Sequence, residues 1–214
     1  MKPRAPKSAA RRPAARKPAA RKSTTANLTP AAATPGPGRV RLEEPSLRRC
    51  SDFLEAVRRS RRLHGRWVAA PASRAEFVSY VARTRRPSQL GWFVVAPSGE
   101  LAGVINASEI VGGNFHSAYL GYYALAPHHR RGVMTEGLRL AIQEAFDVHG
   151  LHRLEANIQP DNLASRRLAR RLGFRREGFS PRYLRIAGRW RDHERWAITR
   201  EEWTGDLRAR RRRT

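Results

Sequence analysis

A basic, glycine-containing turn, HHRRGVM, stands directly before the amphipathic segment TEGLRLAIQEAF. The first N–H groups of a helix have no intrahelical partner, and the helix dipole adds a partial positive charge there. A helix that starts at Gly132 therefore offers a binding site for an anionic group such as a phosphate. Exposed basic turns also occur without a ligand, and that alternative stays open. The residues that we predict to bind the anion are His129, Arg130, Arg131, Gly132, Val133 and Met134.

The elements around this turn follow a defined order along the chain. The segment HSAYLGYYALAP before it predicts a strand, and RLEANI after the helix predicts a second one. A further helix, NLASRRLARRLGF, begins at Asn162 as its N-cap and ends at Gly173. The order of strand, turn, helix, strand and capped helix is a far more specific signal than one glycine among basic residues.

The rest of the middle region predicts a mixed α/β fold. Two earlier helices are expected at SLRRCSDFLEAVRRS and at SRAEFVSYVART, the second with Ser73 as its N-cap. The remaining strands are GRVRLEEP, GWFVVAP, ELAGVINASEI, YLRIAG and HERWAIT, with the last two forming a hairpin. One face of the first helix carries Leu47, Cys50, Phe53, Leu54 and Val57. The helix from Val133 to Val148 is expected to place against the sheet Met134, Leu138, Ala141, Ile142, Ala145 and Phe146.

Both ends of the chain are strongly basic. Residues 1–39 hold ten Lys and Arg and no acid, and residues 207–214 hold five Arg. Such segments cannot bury a core, so we predict disordered basic tails around one folded domain at residues 40–206. With a net charge of +25, the tails are candidates for RNA or DNA contact driven by counterion release. A tail that only maintains solubility is an equal alternative.

Composition also limits the compartment. The N-terminus has no apolar run, so neither a secretory signal nor a membrane anchor is expected, and its prolines oppose the helix of an organelle transit peptide. Cys50 is the single cysteine, which excludes an internal disulfide and a cysteine-rich zinc site. The spacing of His128, His129, His149 and His152 fits no helix-face metal pair. We therefore expect a cytoplasmic protein without a metal.

The motifs RRGVMTEGL, NLASRRLARRLGF and WRDHERWAIT, with GNFHSAYLGY and YLRIAG, resemble the GCN5-related N-acetyltransferases (GNAT), closest to the RimJ and RimL ribosomal-protein-alanine acetyltransferases. The likeness runs from about Val40 to Trp203. It implies a GNAT fold with a mixed sheet, half parallel and half antiparallel. That sheet splays between the strands ending near Leu125 and Ile158 and holds acetyl-coenzyme A (acetyl-CoA) in the split.

The resemblance also implies how acetyl-CoA is held. Its pyrophosphate would lie on the turn at residues 129–134, where His129 and Met134 depart from the usual Gln or Arg and the usual Gly or Ala. An exposed strand edge at Ala124 and Leu125 would pair with the pantetheine amides, and a backbone N–H there would face the thioester oxygen. Asn162 would bind the pantetheine arm, cap its helix, or do both.

The proton donor must differ from the usual one, because Ala169 stands where many members of the superfamily carry a tyrosine that acts as the acid. Ser165 matches a serine that serves as the acid in the related RimL enzymes, and a second cap hydroxyl is the alternative. Tyr122 and Tyr183 are further donors. Asn157 falls where some alanine acetyltransferases carry a catalytic glutamate, and an amide can only position a water.

Glu155 lies two residues earlier on the same strand face and is the nearest carboxylate, although pairing with an Arg is the simpler interpretation. An α-amine with a pKa of about 7.7 to 8.0 is partly neutral near pH 7, whereas lysine, at about 10.4, is not. We therefore predict acetyl transfer to the N-terminal Ser or Ala of a small-subunit ribosomal protein. The alternatives are transfer to a small amine, or a nucleic-acid-binding protein with a degenerate acetyltransferase domain.

Overall fold

The computed structural model describes residues 39–186 and 188–205. Strands in these ranges are β1 (Arg41–Glu43), β2 (Gln89–Val95), β3 (Leu101–Val111), β4 (Ser117–Ala124), β5 (Arg153–Ile158), β6 (Arg175–Ile186) and β7 (Arg189–Thr199). They form one seven-stranded sheet in the order β1-β2-β3-β4-β5-β7-β6. Within this described sheet, β4 and β5 run parallel and every other pair is antiparallel. The predicted mixed α/β sheet is confirmed. The prediction that half of the sheet is parallel is wrong, because β4 and β5 are the one parallel pair among the described strands.

Helices in the same ranges are α1 (Cys50–Arg59), α2 (Arg61–His64), α3 (Arg74–Arg83), α4 (Val133–Asp147) and α5 (Leu163–Leu172). Ser73 begins α3 with a capping box, because its hydroxyl accepts from the Glu76 N–H and its own N–H donates to the Glu76 carboxylate. Asn162 Oδ1 caps α5 by accepting from the Ser165 N–H at 3.1 Å. Gly173 ends α5 at φ +93°, in the left-handed region that favours glycine.

Apolar clusters cover both faces of the sheet. On one face, α4 buries the predicted stripe: Met134, Leu138, Ala141, Ile142, Ala145 and Phe146. On the other face, α1 and α3 enclose the rings of Phe53, Phe77, Tyr80 and Phe93, whose centroids lie 4.7–6.3 Å apart. Alternate residues of β2 and β3 contribute to the two clusters, so these strands are fixed between the helix layers.

Phe53 is fully buried at the centre of the aromatic cluster. Replacing it with Ala leaves a cavity, so we expect Phe53→Ala to lower the free energy of unfolding by about 3 to 5 kcal/mol. Urea denaturation followed by circular dichroism measures the loss. The control is Phe115→Ala, because Phe115 is 70% exposed. Equal losses in the two variants would contradict this packing.

The two parallel strands separate after a short paired stretch. Residues 117–119 of β4 pair with β5, and no further β4–β5 pairing occurs in the described sheet. The first helices hold the far end of β4 instead. Ser60 Oγ accepts from the Ala126 N–H at 2.8 Å, and His64 Nε2 donates to the Ala124 carbonyl at 2.9 Å. The sheet therefore splits between β4 and β5, as predicted.

Several local details differ from the sequence prediction. Leu47 is not on the buried face of α1, because it lies in a 3-10 turn (Leu47–Arg49) and is 52% exposed. The helix α2 has no counterpart in the prediction, and β6 begins directly after α5.

Across residues 39–186 and 188–205, no helix is long and apolar enough to cross a membrane. The predicted basic tails at residues 1–39 and 207–214, with their RNA or DNA contact, lie outside the described residues except for Arg39.

Candidate active site

A cavity of about 290 Å³ opens where β4 and β5 separate. Tyr122 and Ser165 line it from the side of α4 and α5, whereas Tyr123 and Asn157 line it from the opposite face of the sheet. Residues 67–69, which follow α2, also contribute to its wall. In the described part of the chain, no Asp or Glu lines the cavity. The cavity is therefore polar without carrying a negative charge.

The predicted anion site is an uncapped helix start. Gly132 has φ +80° and is the N-cap of α4 without a side-chain hydrogen bond, so the first N–H groups of α4 have no side-chain cap. A Cβ at Gly132 would meet no atom within 4 Å, which leaves open space there. The side chains of His129, Arg130 and Arg131 are exposed around it. Met134 is buried in the core, so only its backbone is available to a ligand.

The electrostatics of this turn favour an anion. The acidic residue of the first turn of α4 is Glu136, whose carboxylate accepts hydrogen bonds of 2.8–3.1 Å from Arg139. His128 is buried below the turn, and its Nε2 lies 3.0 Å from Glu100 Oε2, which ties the turn to the β2–β3 connection. The exposed Arg130 and Arg131 therefore add positive charge beside the positive end of the helix dipole.

The free edge of β4 lies earlier than the sequence prediction placed it. Leu125 is fully buried, its N–H donates to the Ala102 carbonyl at 2.8 Å, and its carbonyl accepts from the His128 N–H at 3.1 Å. The prediction of an exposed edge at Leu125 is therefore wrong. The carbonyl of Ala124 accepts a hydrogen bond from α2. Among the described residues, the part of β4 without a strand partner on the β5 side is residues 120–124.

Ser165 and Tyr122 form a hydrogen-bonded pair at the cavity wall. Ser165 Oγ donates to the Tyr122 hydroxyl at 2.8 Å, so the Ser165 hydroxyl is not a second cap. Burial raises the pKa of Tyr122 to about 12, although the hydrogen bond from Ser165 opposes this shift. The Tyr122 hydroxyl is therefore protonated near neutral pH, and it donates to the Ser165 carbonyl at 3.4 Å. The other predicted donor, Tyr183, has its hydroxyl 3.4 Å from that of Tyr119.

The remaining predicted residues have different environments. Asn157 lines the cavity, and its buried Oδ1 has no hydrogen-bond partner among the described residues. Leaving such an acceptor unpaired is costly, so a water or a ligand in the cavity would supply its donor. Asn162 lines the cavity and caps α5, which confirms the capping interpretation. Glu155 lies in the paired part of β5 and accepts from Arg153 Nε at 2.8 Å, which confirms its pairing with an Arg.

Two buried histidines at the site were not identified from the sequence. His64 holds the end of β4 through its hydrogen bond to Ala124. His193 lines the cavity, and its Nδ1 lies 2.9 Å from the Arg191 carbonyl. Burial lowers the pKa of both histidines, so both are neutral near pH 7. No local motif marks either residue, because their environments depend on contacts with distant parts of the chain.

Comparison with known proteins agrees with this geometry. The acetyltransferase (GNAT) domain family matches residues 39–175. The chain therefore belongs to the GNAT acetyltransferase family. The ribosomal protein uS5-alanine N-acetyltransferase of Escherichia coli (strain K12) is 43% identical over 105 residues, which are 49% of this chain and 54% of that protein. The chain thus spans about half the length of this relative and of its counterpart in Shigella flexneri.

Solved structures give the same family. Mycobacterium smegmatis RimJ, in complex with CoA-disulfide, has a TM-score of 0.74 at 27% identity, covering 81% of this chain and 88% of that one. The ribosomal-protein-S5-alanine acetyltransferase of Vibrio fischeri has a TM-score of 0.68 at 21% identity, covering 77% and 95%. The second similarity bears on the fold alone. The resemblance to RimJ-type GNAT proteins is confirmed.

Proposed function

We propose that this chain is an acetyl-CoA-dependent N-acetyltransferase whose acceptor is the N-terminal α-amine of a ribosomal protein that begins with Ser or Ala. The cavity at the β4–β5 split carries the proposal, because polar groups line it and none of the described residues in its wall has a carboxylate. Family membership and the relative that acts on uS5-alanine support the reaction and the acceptor. A ribosomal acceptor implies action in the cytoplasm.

The described residues fit acetyl-CoA. The uncapped N–H groups at the start of α4, with Arg130 and Arg131, would bind its pyrophosphate. Residues 120–124 would pair with the pantetheine amides as a neighbouring strand does. Asn162 lies at the cavity, where its free amide N–H groups can reach the same arm. When bound, acetyl-CoA supplies an acetyl group activated as a thioester.

The transfer needs one proton to leave nitrogen and one to reach sulfur. The acceptor nitrogen forms a bond to the acetyl carbon while the carbon–sulfur bond breaks. A thiol has an ordinary pKa of about 8.5, so a modest donor is sufficient for the leaving sulfur. The Ser165/Tyr122 pair can supply that proton because its hydroxyl groups line the cavity. The two hydroxyls then regain a proton from water.

The cavity favours a neutral acceptor. A polyamine or a lysine side chain enters as a cation, and no described carboxylate of the cavity wall would pair with it. An α-amine is partly neutral near pH 7, because its pKa is about 7.7 to 8.0. The unpaired Oδ1 of Asn157 can accept an N–H from such an amine. These features favour a peptide N-terminus over a small cationic amine.

The test compares acceptors with the full chain near neutral pH. The acceptors are a peptide that begins with Ala, the same peptide with a blocked N-terminus and an internal lysine, and spermidine. We expect release of the CoA thiol with the free N-terminus alone. Faster release with spermidine would favour the small-amine alternative. Failure to bind acetyl-CoA in calorimetry would favour a degenerate domain.

A further inference from the structure

His193 lies in β7 and lines the cavity, although only 2% of its surface is exposed. Asn157 of β5 pairs with Arg195 of β7, and directly opposed residues point to the same face of a sheet. His193 is two residues from Arg195, so it shares that face with Asn157. Such diagonal neighbours are roughly 7–8 Å apart. The His193 imidazole and the unpaired Asn157 Oδ1 therefore approach the cavity from one side.

The predicted proton donor approaches from the opposite side. Glu194, the residue after His193, points away from it and contacts Arg166 of α5, with 2.9 Å between Arg166 Nε and Glu194 Oε2. Tyr122 packs against the cluster beneath α4 and α5, where its hydroxyl meets Ser165. A thioester in the split would thus lie between the Ser165/Tyr122 pair and His193.

Hydrogen bonding fixes which ring nitrogen of His193 can take a proton. A backbone carbonyl only accepts, so the Nδ1 that lies 2.9 Å from the Arg191 carbonyl carries the hydrogen. In the neutral ring, Nε2 then holds a lone pair. Among the described residues, no hydrogen bond to Nε2 occurs. This nitrogen is therefore a base at the wall of a cavity, without a partner in the part of the chain that the structure describes.

The environment keeps the ring neutral near pH 7. Desolvation by burial lowers the pKa of His193, while the hydrogen bond to the Arg191 carbonyl and the charge of Asp192 raise it by less. Asp192 itself accepts from the Arg182 N–H at 2.7 Å. Among the described residues, the other titratable or charged neighbours along and across the strands include Arg191, Glu194 and Arg195 on β7, Tyr183 on β6 and Glu155 on β5.

We propose that His193 is the general base of the transfer, with its Nε2 taking the proton that leaves the acceptor amine. The inference rests on the proposed function. A neutral primary amine has two N–H groups and one lone pair. One N–H faces Asn157 Oδ1, the other faces His193 Nε2, and the lone pair forms the bond to the acetyl carbon. The carbon–sulfur bond breaks, sulfur gains a proton from the Ser165/Tyr122 pair, and the imidazolium returns its proton to water.

Glu155 is not an alternative general base. Its carboxylate is bound by Arg153 in the paired part of β5, away from the cavity wall. Asn157 of β5 lines the cavity, but an amide oxygen cannot be protonated at neutral pH. In the described cavity wall, His193 is the residue with a basic nitrogen.

The test uses His193→Asn, whose amide can keep a hydrogen bond to the Arg191 carbonyl but has no basic nitrogen. We expect kcat for acetylation of an Ala-initiated peptide to fall roughly a hundredfold, within the range of general-base effects. Acetyl-CoA affinity in calorimetry should not change. The matched control is His152→Asn, because His152 is 51% exposed and pairs with Glu201 outside the cavity. This control should keep wild-type activity.

Chemical rescue separates a base from a structural histidine. Imidazole added to His193→Ala should restore part of the lost rate, with a dependence on pH that follows neutral imidazole. A fully active His193→Asn in a working enzyme, or a loss that imidazole does not restore, would overturn the inference and leave the proposed function intact. An inactive wild-type protein would overturn both.

A measurement on the unmutated protein covers the case in which the variants do not fold. Nitrogen NMR of the histidine rings near neutral pH should show His193 with a hydrogen on Nδ1 and a bare Nε2. A His193 that carries its hydrogen on Nε2 would overturn the assignment.

Discussion

Gly132→Glu should abolish acetyl-CoA binding while the fold survives. The new carboxylate would occupy the open space before the first N–H groups of α4, where the pyrophosphate is expected. Bringing like charges together at a binding surface costs several kcal/mol, so we expect the Kd to rise at least about a hundredfold. Calorimetry with acetyl-CoA measures the affinity, and circular dichroism confirms the fold.

The matched control for this variant is Gly113→Glu. Gly113 has a positive φ of +62°, and a Cβ there meets no atom within 4 Å, so the backbone strain and added charge are comparable. It lies in the β3–β4 turn, before β4 begins, whereas Gly132 lies after β4 ends. Acetyl-CoA affinity should survive this change. An unchanged affinity in folded Gly132→Glu would refute the position of the phosphate site.

Ser165→Ala should lower kcat by roughly ten- to a thousandfold, the range from modest to typical general-acid effects. The substitution removes the hydroxyl that donates to Tyr122 at the cavity wall. The Kd for acetyl-CoA should change little, because Asn162 keeps its cap on the Ser165 backbone N–H. Steady-state kinetics with an Ala-initiated peptide measure the effect.

Tyr122→Phe, alone and combined with Ser165→Ala, shows whether the two hydroxyls contribute to kcat independently. If they act as one unit, the double variant should be no slower than the slower single variant. Ser98→Ala is the control, because that hydroxyl contacts Glu100 on an exposed turn. A fully active Ser165→Ala would remove Ser165 from the mechanism.

The sequence predicts the periodic elements of this fold well. The stripe on α4, the N-cap at Ser73 and the N-cap at Asn162 are encoded within a few residues, and the structure has them where predicted. The phosphate turn is predicted for the same reason, since Gly132 and the basic residues before it are contiguous. Local patterns of this kind require no knowledge of the tertiary structure.

Features that depend on distant contacts were missed or misplaced. The sequence predicts the free edge of β4 at Ala124 and Leu125, because it does not show that Ser60 and His64 bind the end of that strand. The contact of Ser165 with Tyr122 joins residues 43 positions apart. The sequence shows His193 only as a histidine in a hairpin strand, and the tertiary structure places it beside the cavity. Tertiary packing, not a local pattern, creates each of these features.

The most direct test of the account uses one peptide with a free N-terminal Ala and an internal lysine. The peptide is incubated with the full chain and acetyl-CoA near neutral pH, and tandem mass spectrometry locates the acetyl group. The account predicts an acetyl group on the α-amine with the lysine side chain unmodified. Acetylation of the lysine with a free α-amine would contradict it.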